Sequence, residues 1–141
     1  MAPPETQRPL EILIVEDNPA DVRIAQEALK LAGFEYRLHV ALDGEQAVDF
    51  LLRRGPHSGV PQPDLVLLDL KLPRLNGFAV LSALRSRPGR RVIVVVMTGS
   101  SLRDDRTRSQ ELDADLFVTK PVGVEAYVQA MKRFRALAAA A

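Results

Sequence analysis

Asp64-Leu65-Val66-Leu67-Leu68-Asp69-Leu70-Lys71-Leu72-Pro73-Arg74-Leu75-Asn76-Gly77 is the stretch whose reading decides the fold. Leu65 to Leu68 form an unbroken apolar run, as a strand buried on both faces requires. The run ends on a carboxylate, Asp69, and the chain then turns through Pro73, Asn76 and Gly77, residues of turns and helix starts. Asp69 is therefore expected where a buried strand meets a loop, at the edge of a sheet.

Other segments repeat that grammar. Leu10 to Val15 is a second apolar strand, followed at once by Glu16 and Asp17. Asn18 suits a helix N-cap, Pro19 the first helical position and Asp21 the first turn. Val22, Ala25, Leu29 and Ala32 recur at helical spacing, Ile24, Ala28 and Leu31 widen the stripe, and Gly33 closes the helix. Tyr36 to Ala41 reads as a strand, and Asp43 caps a helix burying Ala47, Val48, Leu51 and Leu52. Gly55 to Pro63 holds three prolines and two glycines and reads as a loop. A helix from about Asn76 buries Phe78, Leu81 and Leu84 and stops near Pro88 and Gly89. Val92 to Met97 is the most β-prone run and ends on Thr98. Ser101 to Asp113 is a weak helix, and Leu116 to Val118 a short strand running into Thr119, Lys120 and Pro121. The last helix buries Val124, Tyr127, Val128, Met131 and Phe134.

Five strands alternating with five helices imply an α/β, doubly wound fold: a mostly parallel sheet with helices on both faces. Ligands of such sheets bind beyond the carboxyl ends of the strands. The residues just past those ends are Glu16, Asp17, Asp69, Thr98 and Lys120. Strands lie about 4.8 Å apart, so these side chains can converge on one small volume. The second strand ends in Ala41 and Leu42, offers nothing polar there, and is placed at the sheet's edge.

The bulk composition narrows the chemistry. The chain has 141 residues, enough for one domain, and 47% hydrophobic content. A net charge of +1 gives no pull toward nucleic acid or membrane. With no cysteine, disulfides, thiolate catalysis and cysteine-based metal sites are excluded. No apolar run approaches the roughly 20 residues of a membrane span, and Met1 to Pro9 lacks the apolar segment of a secretory signal. A cytoplasmic location is expected. Three carboxylates without a nearby histidine suit a hard, oxygen-loving cation such as Mg²⁺. A hydroxyl and an amine facing that cation make an arrangement for phosphoryl transfer, with Asp69 as nucleophile.

Val15-Glu16-Asp17-Asn18, Leu67-Leu68-Asp69-Leu70 with Pro73 and Asn76-Gly77, Met97-Thr98-Gly99 and Thr119-Lys120-Pro121 together resemble a response-regulator receiver domain. The resemblance covers residues 10–138, with 1–9 as a disordered N-terminal tail and 139–141 as a C-terminal tail. It implies the flavodoxin-like strand order 2-1-3-4-5 and a phosphoacceptor at Asp69, loaded from a sensor histidine kinase. It also implies Mg²⁺ held by Glu16, Asp17, Asp69 and the backbone carbonyl of Lys71, with Thr98 and Lys120 meeting the phosphoryl group. Phe117 falls at the aromatic switch position. Asp17-Asn18-Pro19-Ala20-Asp21, the proline-bearing loop and Asp69-Leu70-Lys71-Leu72-Pro73 are similar to stand-alone response regulators of bacterial phytochromes. A stand-alone module is expected to act on a downstream protein or phosphotransfer target, and to form a homodimer through the fourth helix, fifth strand and fifth helix. Gly99 after Thr98 departs from the family's usual alanine or serine.

Other readings stand beside this one. Taken singly, Asp69 is a strand-end acid capping a turn; in register with its four partners, it reads as functional. A phosphate-independent pseudo-receiver, acting as a protein-interaction module, would keep the fold but not need the full acid set. A dehalogenase-type phosphatase wants an acid where Lys71 stands. His39 and His57 read as a strand and a loop residue without a ligand role. Arg85, Arg87, Arg90 and Arg91 read as a solvated helix end and strand entry.

Overall fold

The computed structural model describes residues 9–55, 59–70, 77–86, 92–98, 114–119 and 123–140. Five strands, β1 (Leu10–Val15), β2 (Tyr36–Ala41), β3 (Leu65–Asp69), β4 (Ile93–Thr98) and β5 (Leu116–Thr119), form one sheet in the order β2-β1-β3-β4-β5. Every pairing is parallel. The described helices are α1 (Pro19–Leu31), α2 (Gly44–Leu51), α3 (Gly77–Ser86) and α4 (Val124–Ala140). The expected helix over Ser101 to Asp113 lies outside the described residues, so α4 is the last helix of the chain. No helix among the described residues is long and apolar enough to cross a membrane.

The apolar runs fill both faces because side chains alternate along a strand. Ile12, Ile14, Leu65, Leu67, Val95 and Met97 join one buried cluster with Ala25, Ala28 and Leu29 of α1 and Tyr127, Met131 and Phe134 of α4. Leu13, Val15, Val66, Leu68, Val94 and Val96 join the other with Ala47, Phe50 and Leu51 of α2 and Val80, Leu81 and Leu84 of α3. Burying each of these large aliphatic side chains contributes about 2 kcal/mol. β2, at the sheet's edge as expected, is the least buried of the strands flanking β1.

The helix starts follow the capping chemistry. Asn18 Oδ1 accepts from the Ala20 amide at 2.9 Å, with Pro19 next and Asp21 in the first turn. At α2, Asp43 Oδ1 accepts from the Gln46 amide at 2.8 Å, and Gln46 Oε1 accepts from the Leu42 amide at 3.1 Å. The Ala20 and Gln46 amides are ones the helices leave orphaned, and Gln46 in return holds the chain entering α2.

Four details depart from the sequence reading. Leu31 is 68% exposed instead of extending the α1 stripe; at 3.6 residues per turn it lies about 140° from the centre of the Val22, Ala25, Leu29 and Ala32 stripe. In α2 Phe50 is buried beside Leu51, while Leu52, the residue after the helix, is only half-buried. In α3 Val80 is fully buried along with Leu81, while Phe78 lies half-buried on the same cluster. Arg85 is not a solvated helix end. It donates to the Val92 carbonyl at 2.7 Å and to Asp115 Oδ2 at 3.0 Å, and the pair's side chains are only 15% and 12% exposed. Asp115 Oδ2 also accepts from the Val94 amide at 2.8 Å. The pair thus ties the end of α3 to the starts of β4 and β5. Arg87, Arg90 and Arg91 lie outside the described residues, as does His57.

A second interior charge sits at the opposite end of the sheet from Asp69. Glu11 on β1 is buried, with Arg37 Nη1 at 3.2 Å and His39 Nε2 at 2.8 Å, both from β2. The His39 ring packs against Phe50, centroids 5.1 Å apart. His39 thus ties β2 to β1 through Glu11 and to α2 through Phe50.

Asp115→Ala removes the carboxylate facing a mostly buried guanidinium and the acceptor of the Val94 amide. Urea unfolding should show a loss of about 3–5 kcal/mol, the range for breaking one side of a buried pair. A loss below 1 kcal/mol would mean that the pair behaves as a surface ion pair.

Candidate functional site: carboxylates at the strand ends

Asp69 is the last residue of β3 and is 4% exposed; Glu16, one residue past β1, is 1% exposed. β1 and β3 pair in a register that ends Val15↔Leu68, so one further step sets Glu16 beside Asp69. The Glu16 amide continues the β1–β2 ladder by donating to the Ala41 carbonyl at 3.0 Å. The backbone of Glu16 is therefore held against β2 although it lies just past β1. Its Oε2 accepts from the Asn18 amide at 3.3 Å, at the mouth of α1. Asp17 between them is exposed.

Carboxylate oxygens of Glu16, Asp17 and Asp69 all lie within 4.8 Å of one another. Two like charges at that distance repel by about 3 kcal/mol at an effective dielectric of 20. Two buried acids and one exposed acid, all offering oxygen, fit a small divalent cation that enters from the Asp17 side. Such a cation offsets the repulsion that the fold itself creates.

The backbone beyond Asp69 is held from two sides. The Leu70 amide donates to the Met97 carbonyl of β4 at 3.1 Å, and the Leu70 carbonyl accepts from the Gly77 amide at 3.0 Å. Gly77 begins α3 directly against this segment. A Cβ there would stand 2.6 Å from both the Asp69 carbonyl oxygen and the Leu70 Cα, so only glycine fits without moving the backbone. The sequence reading took Gly77 as a turn and helix-start residue. Its contact with the Asp69 backbone appears only once α3 is packed on the sheet.

β4 ends at Thr98, which pairs in register with Thr119 of β5, two positions past the Val96↔Phe117 pair. Phe117 is half-buried against the cluster formed with α2 and α3. Of the predicted site residues, Glu16, Asp17 and Asp69 come together. Lys71, Lys120 and the Thr98 side chain lie outside the described residues.

The family model described as the response regulator receiver domain matches residues 12–132. This chain belongs to that family. The receiver is 40% identical over 117 residues to the response regulator Rcp1 of Synechocystis sp., a match spanning 82% of this chain and 80% of Rcp1. It superposes on the crystal structure of the phosphorylated cyanobacterial phytochrome response regulator RcpA with a TM-score of 0.80, at 34% identity, covering 91% of this chain and 92% of that one. The Mn²⁺-bound form of Rcp1 gives a TM-score of 0.79 at 36% identity, over 91% and 93% of the two chains. Membership makes the chain a two-component signalling domain rather than a conventional enzyme, with a kinase as the implied partner.

Gly77→Ala should unfold at lower urea by about 1–3 kcal/mol, as overpacking does, and should bind divalent cations more weakly because the Asp69 end of β3 must move. Gly123→Ala, where an added Cβ meets nothing within 4 Å, is the matched control. Equal cation affinity in the two variants would show that the Gly77 contact does not hold the site.

Proposed function

We propose that this receiver accepts a phosphoryl group on Asp69 from a phosphohistidine of a sensor histidine kinase, and signals by changing its protein-binding surface. The observation that carries this reading is the cluster of Glu16, Asp17 and Asp69 oxygens at the carboxyl ends of β1 and β3. A carboxylate oxygen of Asp69 attacks the phosphorus and an O–P bond forms as the P–N bond breaks; the electron pair stays on the ring nitrogen, and the imidazole leaves neutral because the phosphohistidine's other ring nitrogen carries a proton. Water later hydrolyses the acyl phosphate and restores the carboxylate.

The metal in this reading is Mg²⁺, held by Glu16, Asp17, Asp69 and the Lys71 backbone carbonyl. When bound, it supplies positive charge that offsets both the clustered acids and the oxygens of the phosphoryl group. Lys120 and Thr98 engage the phosphoryl oxygens, and Phe117 turns inward as Thr98 moves. Phe117 is half-buried, packed against the cluster under α2 and α3.

The likeness to Rcp1 and to the phytochrome regulator RcpA supports a bacterial phytochrome as the kinase. We place the receiver unit at residues 10–138, with 1–9 and 139–141 as tails, working in the cytoplasm. A second copy would dock through segment 101–113, β5 and α4, and the downstream step is a protein target or a phosphotransfer partner.

With acetyl phosphate and Mg²⁺, the native chain should take up acid-stable, base-labile label. Asp69→Asn should take up none, and chelation of the metal should reduce uptake by at least tenfold, the cost of about 1.4 kcal/mol in the barrier. A folded, Mg²⁺-binding chain that takes no label would point instead to a phosphate-independent pseudo-receiver.

A further inference from the structure

Met97 joins the phosphoacceptor to the last helix through two separate contacts. Its backbone is the register partner of Asp69, and its carbonyl accepts from the Leu70 amide at 3.1 Å. Its side chain, fully buried, receives the Tyr127 hydroxyl of α4 at Sδ, 2.9 Å away. Tyr127 is itself only 1% exposed and sits in the first turns of α4, beside Ala130, Met131 and Phe134 in the same cluster. Thr98 follows Met97 directly in the chain.

We propose that the Met97–Tyr127 contact couples the occupancy of Asp69 to the position of α4. Interiors packed to crystal density do not absorb a displacement at one residue without moving its neighbours. The thioether is a weak, polarizable acceptor, so its bond to Tyr127 shifts or breaks at lower cost than a bond to a backbone carbonyl. Movement at the Asp69–Met97–Thr98 end of the sheet then reaches α4 through the sulfur, by a route separate from Phe117 on the opposite face. Met97 and Tyr127 act as positioning residues and touch no phosphoryl oxygen. The proposal rests on the phosphorylation reading above.

The chain offers its own reporter, having no tryptophan and only two tyrosines, Tyr36 and Tyr127. In a Tyr36→Phe background all tyrosine emission comes from Tyr127. Acetyl phosphate with Mg²⁺ should label this protein and change its emission together. Met97→Leu, a volume-conserving swap, should still take up label but lose most of the emission change. Met131→Leu, in the same cluster, should keep it. Label with unchanged emission would overturn the coupling while leaving phosphorylation intact, and so would an equal loss in both methionine variants. A folded chain that takes no label would overturn the phosphorylation reading and the coupling with it.

Discussion

Repulsion among carboxylates at the ends of two buried strands is the constraint around which this molecule is arranged. β1 and β3 are apolar because they are covered on both faces, and their register leaves Glu16 and Asp69 adjacent at one edge. Neither acid can retreat into solvent, since both are nearly fully buried, and Asp17 adds a third charge from the exposed side. A fold that merely sought stability would not gather three acids there. The cost becomes useful when a divalent cation and an anionic group fill the space.

The surroundings hold that edge still. Gly77 allows α3 to start in contact with the Asp69 and Leu70 backbone, the Met97 carbonyl binds the Leu70 amide, and the Asn18 amide holds Glu16. The first two are backbone contacts, and the third fixes the Glu16 side chain from the backbone at the mouth of α1. Farther away, Arg85 and Asp115 fix α3 against β4 and β5, and Glu11 with Arg37 and His39 fixes β1 against β2. The site is thus placed by the sheet and secured by helices on both faces. This division suits a module whose covalent change must be felt at a distant surface without unfolding it.

Much of this was legible from local pattern. The apolar runs, the acids at their ends, the Asn18 and Asp43 caps and the Gly33 stop needed only periodicities and turn chemistry, and the structure places them as read. The errors lie where pattern is degenerate. An apolar stripe can be extended by one residue in either direction, so pattern alone buries Leu31 and Leu52 and leaves out Phe50 and Val80. A cluster of arginines reads as solvated unless a partner is visible, and Asp115 stands 30 residues from Arg85.

The sequence by itself determined the alternation of strands and helices, the two-sided burial of the sheet and the presence of acids at the strand ends. These are properties of neighbouring residues, set by side-chain size, polarity and backbone preference. Only the tertiary structure decided which distant groups meet: Glu11 with His39, Arg85 with Asp115, Met97 with Tyr127, and Gly77 with the backbone of Asp69. Those contacts depend on strand register and on the packing of helices against the sheet. A one-residue slip of β2 on β1 would part Glu11 from His39, and a shift of a helix on the sheet would part Arg85, Tyr127 or Gly77 from its partner, while the local pattern stayed unchanged.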